Sequence, residues 1–196
     1  MKAPFDFVIE PKGNRYNNTT KVGNSELILN TEIYNHQYVN RHAIVKSIPI
    51  SIKTDILPGD EVIVHHNVFR RWHNQYGIEK NSRSFFNENT YLIKEDQIFL
   101  YKRESDWTPL KGYCFVQPLR DTNYLTTDVE RQYVGKIIYT DGDFKEGEIV
   151  GFTPSSMYEF IIGGKRLYRV MTQFITIKYE HEGNEEEYNP SWAESS

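Results

Sequence analysis

Asp55-Ile56-Leu57-Pro58-Gly59-Asp60-Glu61-Val62 and its later echo, Asp143-Phe144-Lys145-Glu146-Gly147-Glu148-Ile149-Val150, decide the reading of this chain. In each, a glycine supplies the backbone freedom of a turn and the acid after it keeps a polar group at the mouth of a following strand. Alone this is a β-turn signal. Its recurrence in order with two other pieces makes it a repeat. Phe7-Val8-Ile9-Glu10-Pro11 is answered by Phe115-Val116-Gln117-Pro118, and Gln97-Ile98-Phe99-Leu100 by Gln173-Phe174-Ile175-Thr176. The spacing between the halves shortens at each step, so the second copy has lost residues before its turn and after it, both in loops.

The rest of the chain agrees with a β architecture. Short apolar runs such as Ala43-Ile44-Val45, Thr90-Tyr91-Leu92-Ile93, Lys136-Ile137-Ile138-Tyr139 and Arg166-Leu167-Tyr168-Arg169-Val170 are separated by Pro, Gly, Asn and Asp. No segment sustains a helical period over three turns. Fourteen tyrosines and eleven phenylalanines suit half-buried strands. The expected fold class is all-β. The expected organisation is a first domain over 1–103, a linker over 104–111, a shorter second domain over 112–180, and an acidic tail over 181–196.

Charge narrows the function. The 196 residues carry 23 Lys+Arg and 27 Asp+Glu, and six of the acids (Glu180, Glu182, Glu185, Glu186, Glu187, Glu194) follow Tyr179 with no basic residue among them. The tail reads as a solvated acidic end. The body before it is nearly neutral and lacks the clustered positive charge that a phosphate backbone demands, so no nucleic-acid partner is expected. No stretch approaches the roughly 20 apolar residues of a membrane helix, and Pro4 and Asp6 break the start before a leader could form. A soluble, cytoplasmic protein with no membrane partner is expected, and the lone Cys114 fits a reducing compartment.

The Phe-Val strand followed by proline, the Asp-Ile-Leu-Pro-Gly-Asp-Glu-Val-Ile-Val element at 55–64 and Tyr-Leu-Ile-Lys-Glu-Asp-Gln-Ile-Phe-Leu at 91–100 resemble the GroES-like co-chaperonin family. The resemblance covers about 100 residues of the first half and a more diverged second copy. It implies two tandem GroES-like small β-barrels, an arrangement with precedent in chloroplasts. It also implies assembly into a homo-oligomeric ring that caps a chaperonin and hydrolyses nothing itself. The family's mobile loop maps onto 12–30, where a polar stretch rich in Asn, Thr and Gly should be disordered. Its docking tripeptide maps onto Leu27, Ile28 and Leu29, each weak alone and multiplied by the ring. Glu26 stands where the family has glycine. The roof hairpin shrinks to Ser47–Thr54, as in some phage-encoded members. Family pairing of first and last strands implies subunit-interface roles for Phe7, Val8 and Ile9 against Ile98, Phe99 and Leu100, or against Phe174, Ile175 and Ile177. The alternative is a GroES-like ring retained as a structural or virion-assembly component without chaperonin docking.

Other chemistry finds little support. No Gly-x-Ser-x-Gly elbow or Gly-x-Gly-x-x-Gly loop occurs, so an enzyme and a bound cofactor are not expected. Gly163-Gly164 reads as a hairpin turn. His65, His66 and His73 lack convergent carboxylates or cysteines, and His65 and His66 would point apart if they lay on a strand, so no metal is expected. The insertion around Arg70, Arg71, Trp72 and Tyr76 mixes basic and aromatic side chains and reads as an exposed hairpin or a neighbouring-subunit contact.

Overall fold

The computed structural model describes residues 2–16, 19–23, 25–28, 39–121, 129–154, 156–181, 183 and 185–194. The chain is all-β, built from antiparallel sheets, and divides into two compact units, Met1–Asp106 and Trp107–Ser196. The first unit contains β1 (Phe7–Pro11), β2 (Thr19–Val22), β3 (Ser25–Ile28), β4 (His42–Ser47), β5 (Glu61–Val64), β6 (Arg71–His73), β7 (Glu79–Asn81), β8 (Phe85–Asn87), β9 (Thr90–Ile93) and β10 (Ile98–Arg103). β11 (Asp106–Pro109), in the stretch expected as a linker, carries the boundary. The second unit continues with β12 (Tyr113–Arg120), β13 (Glu130–Thr140), β14 (Ile149–Phe152), β15 (Met157–Ile162), β16 (Lys165–Met171), β17 (Ile175–Tyr179) and a single helical turn, α1 (Ser191–Glu194). No helix among the described residues is long and apolar enough to cross a membrane.

The two units repeat one pairing scheme. Strands β10-β5-β4-β1-β9-β8 lie side by side in the first, and β17-β14-β13-β12-β16-β15 in the second. The register repeats down to its irregularities. A bulge between Val8 and Ile9 on the β1–β4 ladder recurs between Phe115 and Val116 on β12–β13. A second, across β5–β10 between Ile98 and Leu100, recurs across β14–β17 between Gly151 and Phe152. Bulges are specific local features, so their joint recurrence marks the units as structural copies.

This register corrects the sequence alignment by one residue at the first strand, where Ile9 faces Val45 and Tyr91 as Val116 faces Ile137 and Tyr168, so that Val8 and not Phe7 corresponds to Phe115, and again at the last strand. Val64 faces Ile98 and Phe152 faces Ile175, so Gln97 corresponds to Phe174 and not to Gln173. A one-residue slip would turn every side chain to the opposite face, so pairing overrules a shared letter.

The turns also match. Gly59 and Gly147 take φ of +98° and +84°, where L-residues are strained. The Gly59 amide donates to Val45 O and the Val45 amide to Asp60 O; the Gly147 amide donates to Ile137 O and the Ile137 amide to Glu148 O. Gly163 and Gly164 both have positive φ between Ile162 and Lys165, which makes the two-residue hairpin turn that the sequence signals.

The cores follow from the alternation. Phe7, Ile9, Val45, Val62, Tyr91, Ile93, Ile98 and Leu100 are buried in the first unit. In the second, Cys114, Val116, Ile137, Val150, Phe152, Tyr168 and Val170 form one cluster, with Ile175 packed against it. Asp60 closes the first unit's turn: its Oδ2 accepts from the Leu57 amide at 2.8 Å and from Arg103 Nη2 at 2.9 Å, and its Oδ1 from Arg103 Nε at 3.1 Å. Glu148 repeats the device, accepting from the Lys145 amide and pairing with Lys178 on β17.

The acidic end is part of the fold, which corrects the expectation of a solvated tail. Beyond Val116 and its partner Tyr168, the described β12–β16 register stops, and residues 186–188 take up the backbone of β12. Leu119 bridges Glu187, the Arg120 amide donates to Glu186 O and the Tyr188 amide to Pro118 O. Glu187 pairs with Lys136 at 3.0 Å and Lys165 at 3.6 Å, and Pro190 and Ala193 are buried. These ion pairs give Glu187 a place in the fold.

Candidate docking hairpin and assembly edges

In the first unit the chain leaves β1 at Lys12 and returns at Arg41 before β4; the second unit spends only residues 121–129 between β12 and β13. The base of the longer excursion is fixed. The Lys12 amide donates to His42 O, the Asn40 amide to Arg15 O, and Tyr16 bridges Val39. Asn40 is buried and its Nδ2 donates to the carbonyls of Lys12 and Asn14. Glu61, on β5, holds both ends at once, its Oε2 2.6 Å from Lys12 Nζ and its Oε1 2.8 Å from His42 Nδ1. Burial alone would raise the Glu61 carboxyl, but the bonds from Lys12 and His42 outweigh it and hold the group below the ordinary carboxylate range.

Above this base β2 and β3 pair as a hairpin with Thr19 opposite Ile28, Thr20 opposite Leu27 and Val22 opposite Ser25. Gly23 turns between them at φ +60°. Residues 19–22 and 25–28 of the expected mobile loop are therefore paired backbone and not a disordered arm: Thr-Thr-Lys-Val and Ser-Glu-Leu-Ile satisfy each other's backbone groups in a ladder, which their polar composition conceals. Leu27 and Ile28 lie on β3; Leu29 lies outside the described residues.

The expected interface residues separate into two groups. Both edges of β1 are taken within its own chain, Phe7, Val8 and Ile9 pairing with β9 and Val8 and Ile9 also with β4, and all three side chains are buried. These residues belong to the first unit's interior, and the expected pairing of β1 with a neighbouring chain is not the pairing the strand makes. Ile98, Phe99 and Leu100 are buried as well. Strand β17 differs. Among the described residues it ends its sheet, paired only with β14, and leaves Ile177 51% exposed while Ile175 packs inward; Phe174, in the turn just before it, is 36% exposed. Of the expected set, among the described residues, Ile177 alone has both an open strand edge and exposed apolar surface.

The insertion between β5 and β8 has no counterpart in the second unit, where β15 follows β14 directly. Its first residues, Val68 and Phe69, are buried; the rest forms the β6–β7 hairpin. Trp72 lies opposite Lys80, which places Trp72, Ile78 and Lys80 on one face and Arg71, His73 and Glu79 on the other. Asn74 shapes the tip, its Oδ1 accepting from the Tyr76 and Ile78 amides. Trp72, Tyr76 and Ile78 are exposed by 36%, 76% and 55%. The hairpin is anchored by Tyr16, whose hydroxyl accepts from the Arg71 amide at 2.8 Å while the Arg71 guanidinium lies 5.0 Å from its ring centroid. His65 and His66 lie past the end of β5 in a turn and stack at 4.2 Å; they do not point apart as they would on a strand.

Two groups escaped the sequence reading. Asp60 with Arg103, and Glu148 with Lys178, are the same clamp in both copies, signalled by the acid after each turn glycine but invisible without the cation's position. In the second unit Arg166 pairs with Glu130 at 2.8 Å and Glu159 at 2.9 Å, and the Tyr168 hydroxyl donates to Glu130. Tyr91 holds the equivalent place in the first unit, where burial pushes its hydroxyl up to about 12 and no acceptor lies within reach among the described residues. No sequence spacing announces either cluster. Compared with known proteins, the chain matches no family model, and no curated protein matches it.

Proposed function

We propose that the protein is a co-chaperonin built from two GroES-like barrels, a ring-forming cap that docks on a nucleotide-bound chaperonin through the β2–β3 hairpin. The observation that carries this reading is the hairpin itself: a two-stranded projection bearing Leu27 and Ile28, inserted in one copy of a duplicated unit, on a base pinned by Glu61, Asn40 and Tyr16. A fixed base with a slender apolar-bearing end suits weak docking repeated around a ring, where effective concentration supplies the affinity. The duplicated sheet supports two barrels in one chain, and the open β17 edge with exposed Ile177 supports assembly with further copies.

A second reading has its own support. Both edges of β1 are occupied in the chain and the described hairpin residues are already paired, which suits a ring kept as a structural or virion-assembly component without chaperonin docking. Refolding of a strictly chaperonin-dependent substrate separates the two. The co-chaperonin reading expects the protein to restore ATP-driven refolding to a chaperonin supplied without its own cap; refolding no better than with chaperonin alone favours the structural reading.

A further inference from the structure

We infer that the β6–β7 hairpin of one copy docks on the second unit of another copy, beside strand β17, making a head-to-tail contact; this rests on the ring-forming reading and names its interface. Two surfaces on the one chain carry opposite charge and unspent apolar area. The donor is the insertion over 67–86, which holds Arg70, Arg71, Lys80 and Arg83 against a single acid, Glu79, already paired with Arg71. Trp72, Tyr76 and Ile78 project from it with large exposed fractions, and Trp and Tyr are the side chains that most often anchor protein interfaces. Among the described residues, Lys80 and Arg83 form no ion pair.

The acceptor lies on the second unit, whose sequence carries nine basic and fourteen acidic residues against fourteen and thirteen in the first. A cleft runs along the Gly147 turn and the end of β17, lined by Ile149 and Tyr179, by Glu146, Glu148 and Glu180, and by three lysines and His181. Lys178 and Lys136 on its wall are held by Glu148 and Glu187, which leaves Lys145 as the other cation there. Glu146 and Glu180 form no ion pair among the described residues. Along β17 Ile177 stays exposed at an edge left free among the described residues, and Phe174 stays exposed in the turn that precedes it. Apolar anchors flanked by Lys80 and Arg83 thus find an exposed aliphatic edge flanked by Glu146 and Glu180, the two acids of the cleft not held by a lysine, and two different surfaces of one chain make a heterologous contact, the kind that closes into rings.

The test is sedimentation of the full chain over a concentration series, with secondary structure checked by circular dichroism. Lys80→Glu with Arg83→Glu is expected to raise the concentration at which half the chains assemble by at least tenfold, as is Glu146→Lys with Glu180→Lys. An equimolar mixture of the two variants is expected to recover association, because each supplies the surface that the other lacks. Trp72→Ser with Ile78→Ser, both on an exposed hairpin face, tests the apolar part if charge reversal perturbs folding. Assembly of all three variants at the wild-type midpoint, or no recovery on mixing, overturns this interface while leaving the ring reading intact. A wild-type chain that stays monomeric throughout removes both.

Discussion

Replacing Asp60 tests whether the turn clamp stabilises through buried hydrogen bonds or through its ion pair. The Asp60 side chain is 5% exposed and Arg103 46%, so the guanidinium rehydrates when its partner is lost and the ionic part contributes little. The Leu57 amide donates to the buried Asp60 carboxylate at 2.8 Å in the bend beside buried Ile56, and a bond from a backbone amide to a charged acceptor is worth about 1.5–3 kcal/mol. Asp60→Ala should therefore cost about 3 kcal/mol. Asp60→Asn, which keeps one oxygen for Leu57 but not the charge, should cost about 1.5 kcal/mol. Equilibrium urea unfolding followed by fluorescence measures both. Glu148→Ala, the same deletion in the second copy, removes a pair whose Lys178 is 60% exposed and should cost less than Asp60→Ala. The pH dependence carries the sign. Burial raises the Asp60 carboxyl, but the bonds from Arg103 and Leu57 more than offset this and hold it below its ordinary 3.8, so the unfolded chain binds the proton more readily. The contribution is present above that value and is lost as pH falls through the lower folded value, and Asp60→Asn should remove this acid-side slope. Equal costs for Asp60→Ala and Glu148→Ala, or a cost below about 1 kcal/mol for Asp60→Ala, would refute the assignment to buried bonds.

Three further expectations follow from the same geometry. Tyr91→Phe should leave stability unchanged or raise it slightly, since it removes a buried hydroxyl with no acceptor, whereas Tyr168→Phe, which breaks the bond to Glu130, should lower it by about 1 kcal/mol in the same unfolding assay. Truncation after Asn184 removes the segment paired along β12 and should cost about 3 kcal/mol, with hydrogen exchange accelerating at Arg120, whose amide donates to Glu186 O; unchanged exchange there would show the segment to be dispensable. Cys114 is buried and its thiol is pushed up to about 12 by burial, so it should resist a thiol-titrating disulfide reagent at pH 8 until the chain is unfolded in denaturant.

The strands were largely legible because half-buried ladders write their period into the sequence: Ile98-Phe99-Leu100 and Tyr113–Val116 appear as β-rich runs and form β10 and the start of β12. The duplicated turn was legible because glycine at positive φ and an acid accepting an amide three residues back leave a fixed spacing, Gly59-Asp60 and Gly147-Glu148. Edge and centre were not, because a strand's neighbours depend on the whole sheet; Phe7–Ile9 and Ile175–Ile177 read alike, yet one lies in the middle of its sheet and the other at an edge. The acidic end misled for a related reason. A run of glutamates looks solvated unless the lysines opposite are known, and Lys136 and Lys165 come from distant strands. Threonine-rich β2 failed as well, since its ladder with β3 is a pairing and not a composition.

The most direct test of the central claim is association of the purified protein with a double-ring chaperonin, with and without ATP, beside the variant Leu27→Ser, Ile28→Ser, Leu29→Ser. The account predicts ATP-dependent association that the triple change abolishes while the variant keeps its assembly state. A protein that assembles but fails to bind its host's chaperonin, or a triple variant that binds as the wild type does, would contradict it.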